Sequence, residues 1–496
     1  MLHLSDIGYA YLELGETRKA INYFEQALEI QEHSSTPLLE IASLLNNLGV
    51  AWGRMEDQRK AKSYLQQALE IKKSFYGEST AHPEIASLLN NLGGILGNLG
   101  EYRTAVSHYE QALQMYDQST AHPFIAALLN NLGSAWVDLG NYKKAISYFE
   151  RALQVSRSIY GETTAHPHIA GFLVNLGGAW GKLREHRREV SYREQALQMY
   201  RSIYNKQTEH PDIAESLYRL GAAWYHLGDC RKAISYYKQA LQVNKRIYVE
   251  TSAHPDIAKV LNSIGRAWRK LGDHRREVRF YEQALQMRRS IYGQQTAHPH
   301  IAQSLNNLGT ALQDEGDYRK AISCYEQALE MCKSINDETS AYSDISLNNL
   351  GTAWSELGDE RRAISYHEQA LQTRRRMYGQ QTAHPDIVTS LYHLGRSWGN
   401  LGEYTRKLSY YEQVLNMNRS MYGPQTAHPS IVRSLKNMGM ALCELCDFKA
   451  AKSTFLEALA MAKQINQDQN HSLIKNIKRN LQVLKATEIS LDNTYH

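Results

Sequence analysis

The stretch LLNNLGVAWGRMEDQRKAKSYLQQALEI, residues 44–71, decides the fold. In its first half Leu44, Leu45, Leu48, Ala51 and Trp52 recur at spacings of three and four. In its second half Ala61, Tyr64, Leu65, Ala68, Leu69 and Ile71 do the same. Residues spaced this way share one face of a helix with 3.6 residues per turn, so each half predicts a helix with a buried stripe. Two such helices joined by a short polar break predict a helical hairpin.

The hairpin repeats. Leu48-Gly49 returns as Leu92-Gly93, Leu132-Gly133, Leu176-Gly177, Leu220-Gly221, Ile264-Gly265, Leu308-Gly309, Leu350-Gly351, Leu394-Gly395 and Met438-Gly439, and Ile7-Gly8 precedes them all. From Gly8 to Gly439 the steps average about 43 residues, which is the period of helical solenoids. The punctuation agrees. Gly100, Gly140, Gly228, Gly272, Gly316, Gly358 and Gly402 fall in the turn inside the hairpin, where a positive φ ends the first helix at little steric cost. His-Pro recurs at His82, His122, His166, His210, His254, His298, His384 and His428, and proline suits a first helical position that needs no N–H donor. Gly77, Gly161, Gly293, Gly379 and Gly423 read as stops of the second helix. All seven tryptophans stand three residues after a repeat glycine, a register that assigns them to the core and not to a ligand-stacking stripe.

Composition narrows the class. The chain has 496 residues, 43% of them apolar and 22% charged, with no apolar run long enough to span a bilayer. Its first residues show no secretory pattern and its five cysteines form no framework, so a reducing, cytoplasmic setting is expected. A net charge of +5 over this length does not call for nucleic acid or membrane as a partner.

The recurring residues resemble the tetratricopeptide repeat, whose pattern sets Leu-Gly and an aromatic in helix A, then Ala, an aromatic and Ala in helix B. Ile7, Gly8, Tyr11, Ala20, Phe24 and Ala27 carry it in the first unit; Leu132, Gly133, Trp136, Ala145, Phe149 and Ala152 carry it in the fourth. The longer period, with Leu-Asn-Asn-Leu, Tyr-Gly and His-Pro, is similar to the kinesin light chain and nephrocystin type. The resemblance implies an all-α, right-handed superhelical solenoid of eleven repeats over residues 1–465. A C-terminal capping helix and short tail follow over 466–496, with Leu473, Ile474, Ile477, Leu481 and Leu484 as the apolar stripe.

It also implies that helix A lines a concave groove holding extended peptides, with amides one residue before the Leu of Leu-Gly bonding the peptide backbone. That position holds Asn47, Asn91, Asn131, Asn175, Asn307, Asn349 and Asn437, and departs from asparagine at Asp6, Arg219, Ser263 and His393. Asparagine offers two donors and an acceptor, so a row of them can grip a peptide without regard to side chains, or can equally bond neighbouring repeats. Basic residues at other helix A positions gather in two places. The sixth and seventh units contribute Arg219, His226, Lys259, Arg266, Arg269 and Lys270; the tenth and eleventh contribute His393, Arg396, Arg433 and Lys436. Guanidinium forks bind carboxylates, so this pattern points to acidic extended segments of partner proteins, against the alternative of a solvated face neutralised by acids such as Glu215.

No catalytic centre, cofactor or metal site is expected. The His-Pro pairs stand one per repeat, too far apart for one coordination sphere. Cys443 and Cys446 have no second pair, and Gly177-Gly178-Ala179-Trp180-Gly181-Lys182 lacks the spacing and the Ser or Thr of a phosphate loop. The Arg288-Arg289 and Arg374-Arg375-Arg376 runs read as cations at the negative ends of helices. The expected function is a protein-interaction adaptor, the alternative being the regulatory part of a larger signalling protein whose catalytic domain lies elsewhere. The fifth unit is expected to be the soft joint, because Glu189 replaces Ala and Arg193 replaces the aromatic, and residues four apart on a helix predict a weak surface pair.

Overall fold

In the computed structural model, residues 2–32, 37–78, 80–116, 121–204, 209–249, 253–294, 296–335, 341–380, 382–465 and 472–492 are described. Every regular element among them is a helix. The chain divides into two compact units, Met1–Ile247 and Tyr248–His496. The first holds six hairpins: α1 (Leu2–Glu13) with α2 (Thr17–Glu32), α3 (Leu38–Arg54) with α4 (Gln58–Tyr76), α5 (Pro83–Asn98) with α6 (Tyr102–Gln114), α7 (Pro123–Asp138) with α8 (Tyr142–Tyr160), α9 (Pro167–Lys182) with α10 (His186–Ile203), and α11 (Pro211–Leu227) with α12 (Cys230–Ile247). The second holds five: α13 (Pro255–Lys270) with α14 (His274–Tyr292), α15 (Pro299–Glu315) with α16 (Tyr318–Ser334), α17 (Ala341–Glu356) with α18 (Glu360–Tyr378), α19 (Pro385–Asn400) with α20 (Tyr404–Tyr422), and α21 (Pro429–Glu444) with α22 (Phe448–Ile465). A last helix, α23 (Ser472–Asp492), packs on α22 and α21 and buries Ile474, Ile477 and Leu484 there. Residues 466–471 and 493–496 of the expected cap and tail lie outside the described residues. No helix among the described residues is long and apolar enough to cross a membrane.

Each hairpin closes around its repeat glycine. A Cβ added at Gly133 would sit 2.5 Å from the Phe149 ring, so the bare backbone of helix A is what the helix B aromatic lies on. The turn that follows is left-handed in every hairpin. All seven predicted turn glycines have φ between 74° and 99°, and Glu56, Arg184 and Cys446 hold the same conformation without glycine. The five predicted helix stops also have positive φ.

The His-Pro starts are built from two contacts. Proline occupies the first turn of helix A, and the preceding histidine accepts the backbone N–H two residues on through Nδ1, as His210 does from Asp212 at 3.2 Å. In seven of the eight, the tyrosine that ends the previous helix B stacks on that imidazole with centroids 3.4–3.7 Å apart. The register of the histidine was legible in the sequence; its role as cap and stacking partner was not.

The tryptophans are half-buried against the core, each with a helix B Lys or Arg 3.9–4.5 Å over its ring. That cation occupies the face a stacked ligand would need. The arginine runs resolve differently from the expectation. Arg289 and Arg375 do sit in last turns, but Arg288 turns inward to Gln303 and Ser304 at 3.0 and 2.9 Å, and Arg374 is buried against Asp344 at 2.6 Å.

Candidate functional site: the helix A edges

Four asparagines of the row bond across to the preceding hairpin. Asn91 donates to Asn46 Oδ1 at 3.0 Å, Asn131 to Asn90 at 2.8 Å, Asn175 to Asn130 at 2.7 Å and, in the second unit, Asn307 to Asn262 at 2.7 Å. Asn46 donates to Asn47 Oδ1 at 3.4 Å, so in the first unit side-chain amides link one helix A to the next. An amide has two N–H donors, and each of these spends one on the neighbouring hairpin; all seven asparagines stay half-exposed. Four of the seven, Asn91, Asn131, Asn175 and Asn307, are therefore inter-repeat ties that also border solvent. Ser263, one of the departures, is buried instead.

The basic positions are largely partnered within the chain. In the first unit Arg219 pairs with Glu215 at 2.8 Å. In the second, Arg269 pairs with Asp314 at 2.7 Å and Arg396 with Glu356 at 3.1 Å; Arg266 and Lys270 on α13 are exposed and are likewise engaged within the chain. His393 turns inward. Its ring stacks on His367 with centroids 5.0 Å apart, and burial pushes it down to about 4.

A cleft of about 360 Å³ opens in the second unit where α19, α20 and α21 meet. Val388, Tyr392, Val414 and Met421 supply an apolar lining, and Arg433 and Asn437 supply a cation and an amide. It joins one residue of the asparagine row to one of the basic positions on a concave surface. Arg433 is exposed, as a group that meets a ligand must be.

Three buried polar clusters lie behind the helix A edges, and none of the three was read as buried from the sequence. In the fifth hairpin Glu189 and Arg193 form a buried pair at 2.9 Å, with His186 Nδ1 3.1 Å from the second carboxylate oxygen; this corrects the surface pair expected there. Arg193 takes the aromatic's place against helix A, its Cγ 3.0 Å from where a Gly177 Cβ would lie. In the seventh hairpin Glu277 is fully buried and pushed up to about 6 by burial, with His274 and Arg269 acting against that rise. In the ninth, His367 replaces the aromatic and burial holds it at about 3, helped by His393, Arg396 and Arg374. The available signal was register: His367 follows Gly351 by the same interval as Phe149 follows Gly133. Cys443 and Cys446, like the other cysteines, are free thiols, and Cys446 occupies a turn.

One tetratricopeptide repeat model matches residues 1–74, 84–165 and 300–376, and a second matches 213–256, 257–300 and 387–430, together well over half of the sequence. No curated protein sequence matches it. Among solved structures, the apo form of RapI is similar over 76% of this chain and 98% of its own, at 15% identity and a TM-score of 0.53, a likeness of fold. BtubC (BKLC) from P. vanneervenii is 22% identical over 48% of this chain and 92% of its own, with a TM-score of 0.41. Nearly identical TPR-like repeats described as a Podosopora anserina kinesin light chain are 20% identical over 43% of this chain and 99% of their own, with a TM-score of 0.38. The repeat register, the glycine-on-aromatic packing and the family models agree: the chain belongs to the tetratricopeptide repeat family, whose fold serves as a protein-interaction scaffold.

Proposed function

We propose that the helix A edges hold extended, acidic segments of partner proteins, with the α19–α20–α21 cleft as an anchoring subsite. The observation that carries this is the cleft itself. An apolar lining that includes Tyr392, beside exposed Arg433 and the half-exposed amide of Asn437, suits a peptide that buries an apolar side chain and offers a carboxylate and a backbone carbonyl alongside. Exposed Arg266 and Lys270 on α13 extend the same preference within that unit. Membranes and nucleic acid are not the partners under this reading, because the aromatics are engaged in packing rather than displayed among the cations.

The test is fluorescence anisotropy of labelled acidic, neutral and basic peptides, and of a single-stranded RNA, across a salt series. Acidic peptides should bind best. Charge reversal at Arg433 and Lys436 should weaken them by about tenfold or more, the worth of one charged hydrogen bond. Asn437→Ala should weaken acidic and neutral peptides alike. Equal binding of all peptides by the wild-type chain and by these variants, and by Arg266→Glu with Arg269→Glu, would refute the proposal; tighter, steeply salt-dependent RNA binding would replace it.

A further inference from the structure

The seventh hairpin carries a cluster that neither the sequence reading nor the groove uses. His274 and Glu277 stand one turn apart at the start of α14, whose cap is Asp273 accepting from Arg276 N–H at 3.0 Å. Asp314 comes from the last turn of α15. One ligand atom of each lies within 4.8 Å of the other two.

Glu277 sets the cluster apart from an ordinary ion pair. Its side chain is 0% exposed, and while Oε2 meets His274 Nδ1 at 3.1 Å, Oε1 is buried with no hydrogen-bond partner. The nearest cation to Oε1 is Arg269 Nε at 3.8 Å, beyond hydrogen-bond reach, because that guanidinium is bonded at 2.7 Å to Asp314. A fully buried carboxylate with one unpartnered oxygen, grouped with a second carboxylate and an imidazole, is an environment that a small multivalent cation satisfies better than an arginine fork.

The fifth hairpin is an internal control. The same five residues, His-Arg-Arg-Glu-Val, occur as 186–190 and as 274–278. In the fifth, Arg193 one turn on gives Nε to Glu189 Oε1 at 2.9 Å, so both oxygens are partnered, and His226 stands in the register of Asp314 with its ring stacked on His186 at 5.4 Å. In the seventh, Tyr281 replaces that arginine and Asp314 replaces that histidine. One motif is thus a closed ion pair in one hairpin and an open three-donor set in the other.

We propose that His274 Nδ1 and the carboxylates of Glu277 and Asp314 bind a zinc-class divalent ion, with water completing four-coordination, in exchange with the Arg269 guanidinium. One imidazole and two carboxylates form a nitrogen–oxygen set of the kind zinc takes. Bonds of about 2.1 Å place ligand atoms about 3.4 Å apart, so the donors close by roughly 1 Å, through the two partly exposed side chains His274 and Asp314. Arg269 is 46% exposed and can leave without being buried elsewhere. Its departure returns a cation to the helix A edge.

The experiment is a zinc titration of the full chain by calorimetry, with cobalt as the spectroscopic stand-in. With 20 histidines present, weak background binding is expected, so the site is defined by the variants. Asp314→Asn and His274→Ala, both at partly exposed positions, should each weaken one equivalent of zinc at least tenfold and abolish the four-coordinate cobalt spectrum. Arg269→Ala should tighten the same equivalent severalfold, because the competitor is gone. Glu189→Gln, in the control hairpin, should leave it unchanged. Far-ultraviolet dichroism verifies that each variant is folded. Identical zinc binding in the wild type, Asp314→Asn and His274→Ala would overturn the proposal, as would weaker binding in Arg269→Ala.

Discussion

His367 shows how much one residue can change while the hairpin stays in place. It lies on Gly351 where eight of the other ten hairpins put a phenyl or phenol ring, with His393, Arg396 and Arg374 as its charged or titratable neighbours. Its proton affinity is depressed to about 3, and that of His393 to about 4, against an ordinary 6.5. Above pH 6.5 both states of the chain hold these rings neutral, and stability is at its full value. As pH falls below 6.5 the unfolded chain takes up protons that the folded one refuses, so stability drops until the folded values are reached. At pH 5 His367 alone should account for a loss of about 2 kcal/mol. Urea denaturation at pH 7 and pH 5 should show that loss together with a comparable one from His393 in the wild type, and in His367→Phe the His393 share alone, about half of the total. The register of this residue could be read from the repeat; its burial and its stacking partner could not, because His393 is 26 positions away in sequence and belongs to a different helix.

At the scale of one element, the fifth hairpin replaces the Ala and aromatic pattern with Glu189 and Arg193. The sequence showed that substitution and its consequence for packing. It did not show that both charges are enclosed, since a pair four residues apart is usually at the surface. Removing one partner leaves the other buried and unpaired, so Arg193→Ala should cost about 3–5 kcal/mol. The double change Glu189→Ala with Arg193→Phe, which restores the first hairpin's pattern, should be neutral or stabilise by about 1–4 kcal/mol. Hydrogen exchange should find α9 and α10 opening before the other hairpins of their unit and should find that difference erased in the double variant. Uniform protection across the unit in the wild type would remove the case for a soft joint. The glycine contact points the same way: flexible Arg193 Cγ opposes Gly177, whereas the rigid Phe149 ring opposes Gly133.

For the whole molecule, stability is the sum of hairpins and the faces between neighbours within each unit, so an end matters locally. The α23 helix covers the last hairpin with Ile474, Ile477 and Leu484, a burial worth at most about 9 kcal/mol. Truncation after Ile465 should therefore raise hydrogen exchange in α21 and α22 sharply while leaving α13 to α16 as they were, measured by mass spectrometry. By itself the sequence determined the helices, their pairing, the left-handed turns and the asparagine row, because each follows from spacing within one repeat, and spacing is local. Only the tertiary structure decided what the row does between hairpins, which arginines face inward, and that His274, Glu277 and Asp314 converge. Those outcomes depend on how adjacent helices stack, and residues some forty positions apart are brought together by that stacking and by nothing in the local pattern.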